Sequence, residues 1–176
     1  MRILRRLLTF IASRMFFITV VSALLIISFY LAMNTANIWV LITDGLDARA
    51  AVVLMGADDE GLENYFREEF LNQDPVLQVG LGDASPYQDY EIRGYDHRVS
   101  MEWVWSWPWE DVARAEIVES IPAIDGTITS SRREAALAAG GEERLSPPRW
   151  ATARYRVTLV RTAGRWKISN LQQIGE

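Results

Sequence analysis

The sequence predicts an α+β protein: an amino-terminal transmembrane helix, then helices packed on a curved antiparallel sheet of about four strands. Three observations carry that expectation. An uncharged apolar run from Met15 to Met33 follows an arginine-bearing start. Downstream to Phe70, apolar residues recur at the three- and four-residue steps of helices. Beyond Tyr90 the period changes to two, as in strands with one buried face, and the chain closes on a strand, turn and strand.

The run Met15–Met33 contains no charge and no glycine. At about 1.5 Å rise per residue it matches a hydrocarbon layer of roughly 30 Å. Met15, Phe16, Phe17, Leu24, Leu25, Phe29 and Tyr30 are its large lipid-facing candidates, and its hydroxyls can bond carbonyls one turn back. A signal peptide is the rival reading, but Asn34-Thr35-Ala36-Asn37 offers no clean pair of small residues for cleavage. Residues 1–14 therefore read as a basic cytoplasmic segment, 15–33 as the membrane helix and 34–176 as an extracytoplasmic domain. Arg2, Arg5, Arg6 and Arg14 set that orientation by the positive-inside rule.

Composition narrows the classes further. With 176 residues, 49% hydrophobic and 23% charged, the chain fits one modest domain plus an appendage. It has no cysteine, which removes disulfide scaffolds, thiol nucleophiles, cysteine-ligated zinc and a cysteine-linked lipid. Four of 18 basic residues precede residue 34, so 14 face 23 acids downstream, a formal charge of −9. Such a domain repels phosphate backbones and is not expected to bind nucleic acid.

The segment Asn37–Met55 reads as a second helix that either continues directly from the anchor or kinks at Gly45, with Gly56 ending it. Asp58 or Asp59 caps an amphipathic helix bearing Leu62, Tyr65, Phe66 and Phe70, stopped at Asp74-Pro75. Gly80, Gly82 and Pro86 mark a loop or weak strand. Tyr90–Trp107 then alternates as one strand, bent near Gly94 and ended by Pro108, with Val99, Met101, Trp103, Trp105 and Trp107 on one face and Val104 out of pattern. A second strand places Ala113, Ala115, Ile117 and Ile121 together, with Val118 and Glu119 disturbing the register. Ile124 to Thr127 signals a turn followed by a short polar-apolar run. Residues 130–148 read as an inserted loop with a short helix at Arg132–Ala139. A terminal hairpin, YRVTLVRTAGRWKI, turns at Ala163-Gly164.

That hairpin, with the preceding LITDGLDARAAVVL and LENYFREEF segments, resembles the nuclear transport factor 2-like (cystatin-like cone) superfamily over residues 37–174. A single anchor ahead of such a domain is also similar in architecture to assembly components of type IV secretion and conjugation systems and to ring-forming channel proteins of sporulation. The resemblance implies a non-catalytic assembly role; a protein partner or a second copy is expected, beside membrane lipid, and no cofactor. It also implies an alternative, a tethered small-molecule binder or isomerase-like enzyme with acid-base residues inside the cone.

For that alternative the nearest residues are Tyr90, Tyr95, Asp96, His97 and Asp125, with Tyr95, His97 and Asp125 the catalytic candidates. Neighbours in a strand point to opposite faces, so Asp96 and His97 cannot readily form a dyad, whereas Tyr95 and His97 can share a face. One histidine and no cysteine leave only carboxylates for a metal, and none is expected; Asp58-Asp59-Glu60 reads as a helix start. Trp103, Trp105 and Trp107 are expected to pack beneath the helices. Their functional alternative is a pocket or partner surface, for which Trp109 and Trp150 are the better exposed. No phosphate loop, catalytic triad or nucleophile elbow is present.

Overall fold

Between Arg2 and Met55 the chain holds no proline and one glycine, Gly45, so nothing compels a helix to stop. In the computed structural model these 54 residues form one unbroken helix, α1. The structure describes residues 2–82, 84–107 and 109–175, with side chains from Phe10 onward except that of Ala139. The expected limits at 14/15 and 33/34 thus fall inside α1, and the second helix continues directly from the first. At 1.5 Å per residue α1 is about 81 Å long. From Met15 to Tyr30 its described residues are uncharged and exposed, which fits a single transmembrane anchor. The side chains of Arg2, Arg5 and Arg6 lie outside the described residues; that of Arg14 sits over the Phe10 ring.

Burial begins where the apolar run ends. Ile38, Ile42, Leu46 and Ala50, one turn apart, are fully buried against the domain. Gly45 admits Tyr65, whose Cβ would stand 2.9 Å from an added methyl. Gly56, at φ +62°, ends α1 in the left-handed conformation expected of it.

The segment expected as one amphipathic helix from Asp58 to Leu71 is broken. A 3₁₀ turn, Glu60–Asn64, is followed by a parallel bridge from Phe66 to Ile168 and a single helical turn, α2, Glu68–Leu71. The sheet edge wins this competition: Ile168 N donates to Tyr65 O at 2.7 Å and Arg67 N to Ile168 O at 2.9 Å. Where a loop or weak strand was expected after Asp74, helix α3 spans Pro75–Leu81. Pro75 occupies its first turn, where no amide is needed, and Asp74 Oδ1 accepts from Val76 N at 3.0 Å. Gly80 lets α3 lie close on α1, since an added Cβ would be 2.7 Å from a Val53 methyl.

Among the described residues two antiparallel sheets follow. The segment read as one strand divides at Asp96-His97 into β1 (Tyr90–Tyr95) and β2 (Arg98–Trp105). β1 pairs with β4 (Ile124–Ile128), with a shift of register at Ile92/Gly94. β2 joins β3 (Val112–Ser120), β5 (Ala153–Thr162) and β6 (Arg165–Gln173) in the order β2-β3-β5-β6. Ala115, Ile117, Val157, Leu159 and Ile168 line its inner face and enclose the carboxyl-terminal half of α1 with Phe66. Helix α4, Arg133–Gly140, and a 3₁₀ turn, Gly141–Leu145, occupy the 130–148 region. The final hairpin turns through Ala163 (φ 50°) and Gly164 (φ 79°), whose paired positive φ values match strand twist.

The tryptophan row is corrected by one residue. A bulge between Met101 and Trp103 puts Val99, Met101 and Val104 inward and sends Trp103 and Trp105 outward, opposite Glu116 and Arg114. Trp103 is 48% exposed and Trp105 52%. Val104, out of pattern in the sequence, is therefore the core residue. Pro108, expected to end the strand, lies outside the described residues; β2 ends at Trp105.

Candidate functional site

Arg49 interrupts the apolar stripe of α1 and cannot leave the interior without unwinding the helix, so its charge must be met inside. It is met on both sides. Nε donates to Asp74 Oδ2 at 2.6 Å and Nη2 to Asp74 Oδ1 at 3.0 Å, while Nη1 faces Glu119 Oε2 at 3.8 Å without a hydrogen bond. Glu119 reaches inward because it keeps the alternation of Ala113, Ala115 and Ile117 on β3; it does not disturb the register, as the sequence reading had it. Its Oε1 lies 3.1 Å from Nε2 of His97, whose Nδ1 lies 3.6 Å from Asp47 Oδ1 on α1. A chain of charged and polar groups thus runs Asp74–Arg49–Glu119–His97–Asp47, tying α3, α1 and β3 together.

The electrostatics follow from burial and charge. Burial alone would lower the Arg49 pKa, but the hydrogen bonds and charge of Asp74, with Glu119 behind them, hold it above its usual value. Tyr155 is raised by burial and by Glu119, against a lowering from Arg49. Tyr95 is pushed up to about 12, by burial first and then by Asp47; its hydroxyl donates to the Asp47 carbonyl at 3.1 Å.

Of the catalytic candidates, Tyr95 and His97 are brought together on Asp47. Asp125 pairs with Gly94 across β1 and β4, and Tyr90 donates to Arg144 O, both away from the cluster. Asp96 is spent on an exposed ion pair with Arg98. Sequence reasoning missed Arg49, Asp74 and Glu119. The signal was present: a lone arginine in an apolar helical stripe and a lone acid on the inward row of a strand. The side chains of Arg49, Asp74, Glu119 and His97 are at most 4% exposed, so no substrate touches them in this conformation. Among the described residues no cluster of three His, Asp or Glu is placed to hold a metal. The arrangement locks helix to sheet.

Trp150 stacks on Tyr87 at 6.3 Å and lines a pocket of about 360 Å³ with Val53, Val76, Val79 and Tyr155. Burial raises the Tyr87 hydroxyl. Trp105 meets Trp107 edge-on at 5.5 Å, and Trp107 stacks on Trp109 at 5.0 Å. Trp107 is half-buried and Trp109 is exposed.

No protein-family model matches the chain. No curated protein matches it either. Among solved structures, it is similar to the Kfla4162 protein from Kribbella flavida, with a TM-score of 0.47 and 16% identity over 81% of this chain and 90% of that one. A likeness of that degree carries no argument about fold or function.

Proposed function

We propose that the chain is a single-pass membrane protein whose domain, cone-like in the manner of the nuclear transport factor 2-like superfamily and held on the extracytoplasmic side, binds other proteins or a second copy of itself as a non-catalytic assembly element of the bacterial cell envelope. The observation that carries this reading is the continuity of α1, which passes from the exposed apolar half into the core without a linker. A domain so joined keeps one orientation above the membrane, which favours docking to neighbours in the same bilayer over reaching for soluble substrates. The filled inner face supports a non-catalytic role, since Ile42, Leu46, Phe66 and the buried ion cluster occupy the space a cone enzyme would leave for its substrate. The four arginines before the anchor support the sidedness.

The test is photo-crosslinking in native membranes from a reactive residue at the exposed Trp103 position, followed by identification of the adducts. Discrete protein adducts, or a crosslinked dimer of the chain, are expected; monomer alone would overturn the reading. Sidedness is checked by a compartment-sensitive reporter fused after Glu176, and cytoplasmic activity of that reporter would contradict it. A second reading, a tethered small-molecule binder, is favoured only by the Trp150–Tyr87 pocket. Trp150→Ala would then abolish binding of an apolar ligand.

A further inference from the structure

The run of tryptophans that leaves β2 sits at one level along α1. His97, just before β2, is beside Asp47, whereas Ser106, just after it, accepts a hydrogen bond of 2.6 Å from Asn34 Nδ2. The strand therefore runs back along α1 toward the apolar run, and Asn34 is the first residue beyond that run. Trp107 and Trp109 follow Ser106 and are stacked on each other, with Trp105 edge-on to Trp107. On the other flank, Arg161 lines a groove with Phe29, Tyr30 and Met33, the last turn of the apolar run, and its guanidinium lies over the Trp166 ring at 4.5 Å. The near end of the domain is thus level with the place where α1 leaves hydrocarbon. There it presents Trp109, 68% exposed, and Trp105 and Val112 are exposed as well.

We propose that this rim of Trp105, Trp107 and Trp109 seats in the headgroup layer of the membrane that α1 crosses, so that the domain lies against the bilayer. Indole rings concentrate at that depth because an apolar body and a polar N–H suit the boundary between chains and water. Lipid is the occupant because the rim is continuous with the anchor: the same chain holds it at the bilayer surface whatever other proteins are present. Arg114 stands opposite Trp105 on β3, and Glu110 and Asp111 follow Trp109 in the chain, so the rim carries charges of both signs and attachment rests on the indoles.

The test uses the full chain in phosphatidylcholine vesicles, with tryptophan emission quenched by lipids brominated near the headgroup end of their chains. Trp107→Phe/Trp109→Phe is compared with Trp150→Phe, whose ring lies near Val53, about 28 Å farther along α1 by helical rise. The double variant is expected to lose roughly half of the lipid-quenchable emission, and Trp150→Phe almost none. Equal quenching in the two variants, or quenching of Trp107 and Trp109 by aqueous acrylamide alone, would overturn the proposal. So would a rim shielded from both quenchers whose double substitution dissolves an oligomer, since protein would then cover it. The inference rests on the membrane anchor, which is read separately by alkaline extraction: chain that pellets with the vesicles but shows an unquenched rim contradicts this proposal alone.

Discussion

Arg49, within the last two turns of α1, and Asp74 at the amino end of α3 are joined through two hydrogen bonds, 2.6 and 3.0 Å long, with both side chains almost wholly out of solvent. A short helix that begins on proline is thereby fixed against the long one. Removal of one partner strands a buried charge, at a cost of about 3–5 kcal/mol. Asp74→Ala is expected to destabilise the detergent-solubilised chain by that amount in denaturant unfolding. The triple variant Arg49→Met/Asp74→Leu/Glu119→Gln, which removes the charges together, should recover most of the loss.

Asn34 is the pin between anchor and domain. Its Nδ2 donates to Ser106 and its Oδ1 accepts from Trp166 Nε1 at 2.9 Å. Asn34→Leu leaves the indole N–H buried without a partner, at about 1–3 kcal/mol. Amides of the β5–β6 turn and the Trp105–Trp109 segment should then exchange with deuterium faster, while those of α3 keep their protection.

The bulge in β2 makes a prediction opposite to that of the bare alternation. With Trp103 on the outer face, Trp103→Gln should change unfolding free energy by about 0.5 kcal/mol or less. Buried as the sequence suggested, the same ring would cost about 3–5 kcal/mol on truncation. Thermal or denaturant unfolding of the variant decides between the two placements.

Tyr95 gives a pH dependence with a definite sign. Its pKa is raised from 10.0 to about 12 in the folded chain, so the unfolded chain loses this proton first. The stability from Tyr95 is complete below pH 10 and is lost as pH rises toward about 12. Tyr155 and Tyr87 shift in the same direction. Tyr95→Phe should flatten the fall in stability across that window and remove a late-titrating tyrosinate from the near-ultraviolet absorbance.

Much of this architecture was legible because it depends on local period. The apolar run, the Gly56 stop and the Ala163-Gly164 turn all follow from residues close in sequence. What escaped depended on distant partners. The bridge from Phe66 to Ile168 spans the domain, and it breaks a helix whose own pattern was sound. A single extra residue at Glu102 reversed the faces of Trp103 and Trp105, which alternation cannot announce. Pro75 was read as a stop although it also serves as a first helical residue. At the candidate site, Tyr95 and His97 were picked out by their chemistry, whereas Arg49 and Glu119 acquire meaning only once α1 lies on β3.

Anchor and domain share one unbroken helix. The chain has no cysteine of its own, so spin labels on cysteines placed at the exposed positions Leu25 and Asp44 report a single distance in membranes by pulsed dipolar spectroscopy. An unbroken α1 predicts one narrow distribution centred near about 28 Å along the helix. A broad or markedly shorter distribution would mean a hinge between span and domain and would contradict the account.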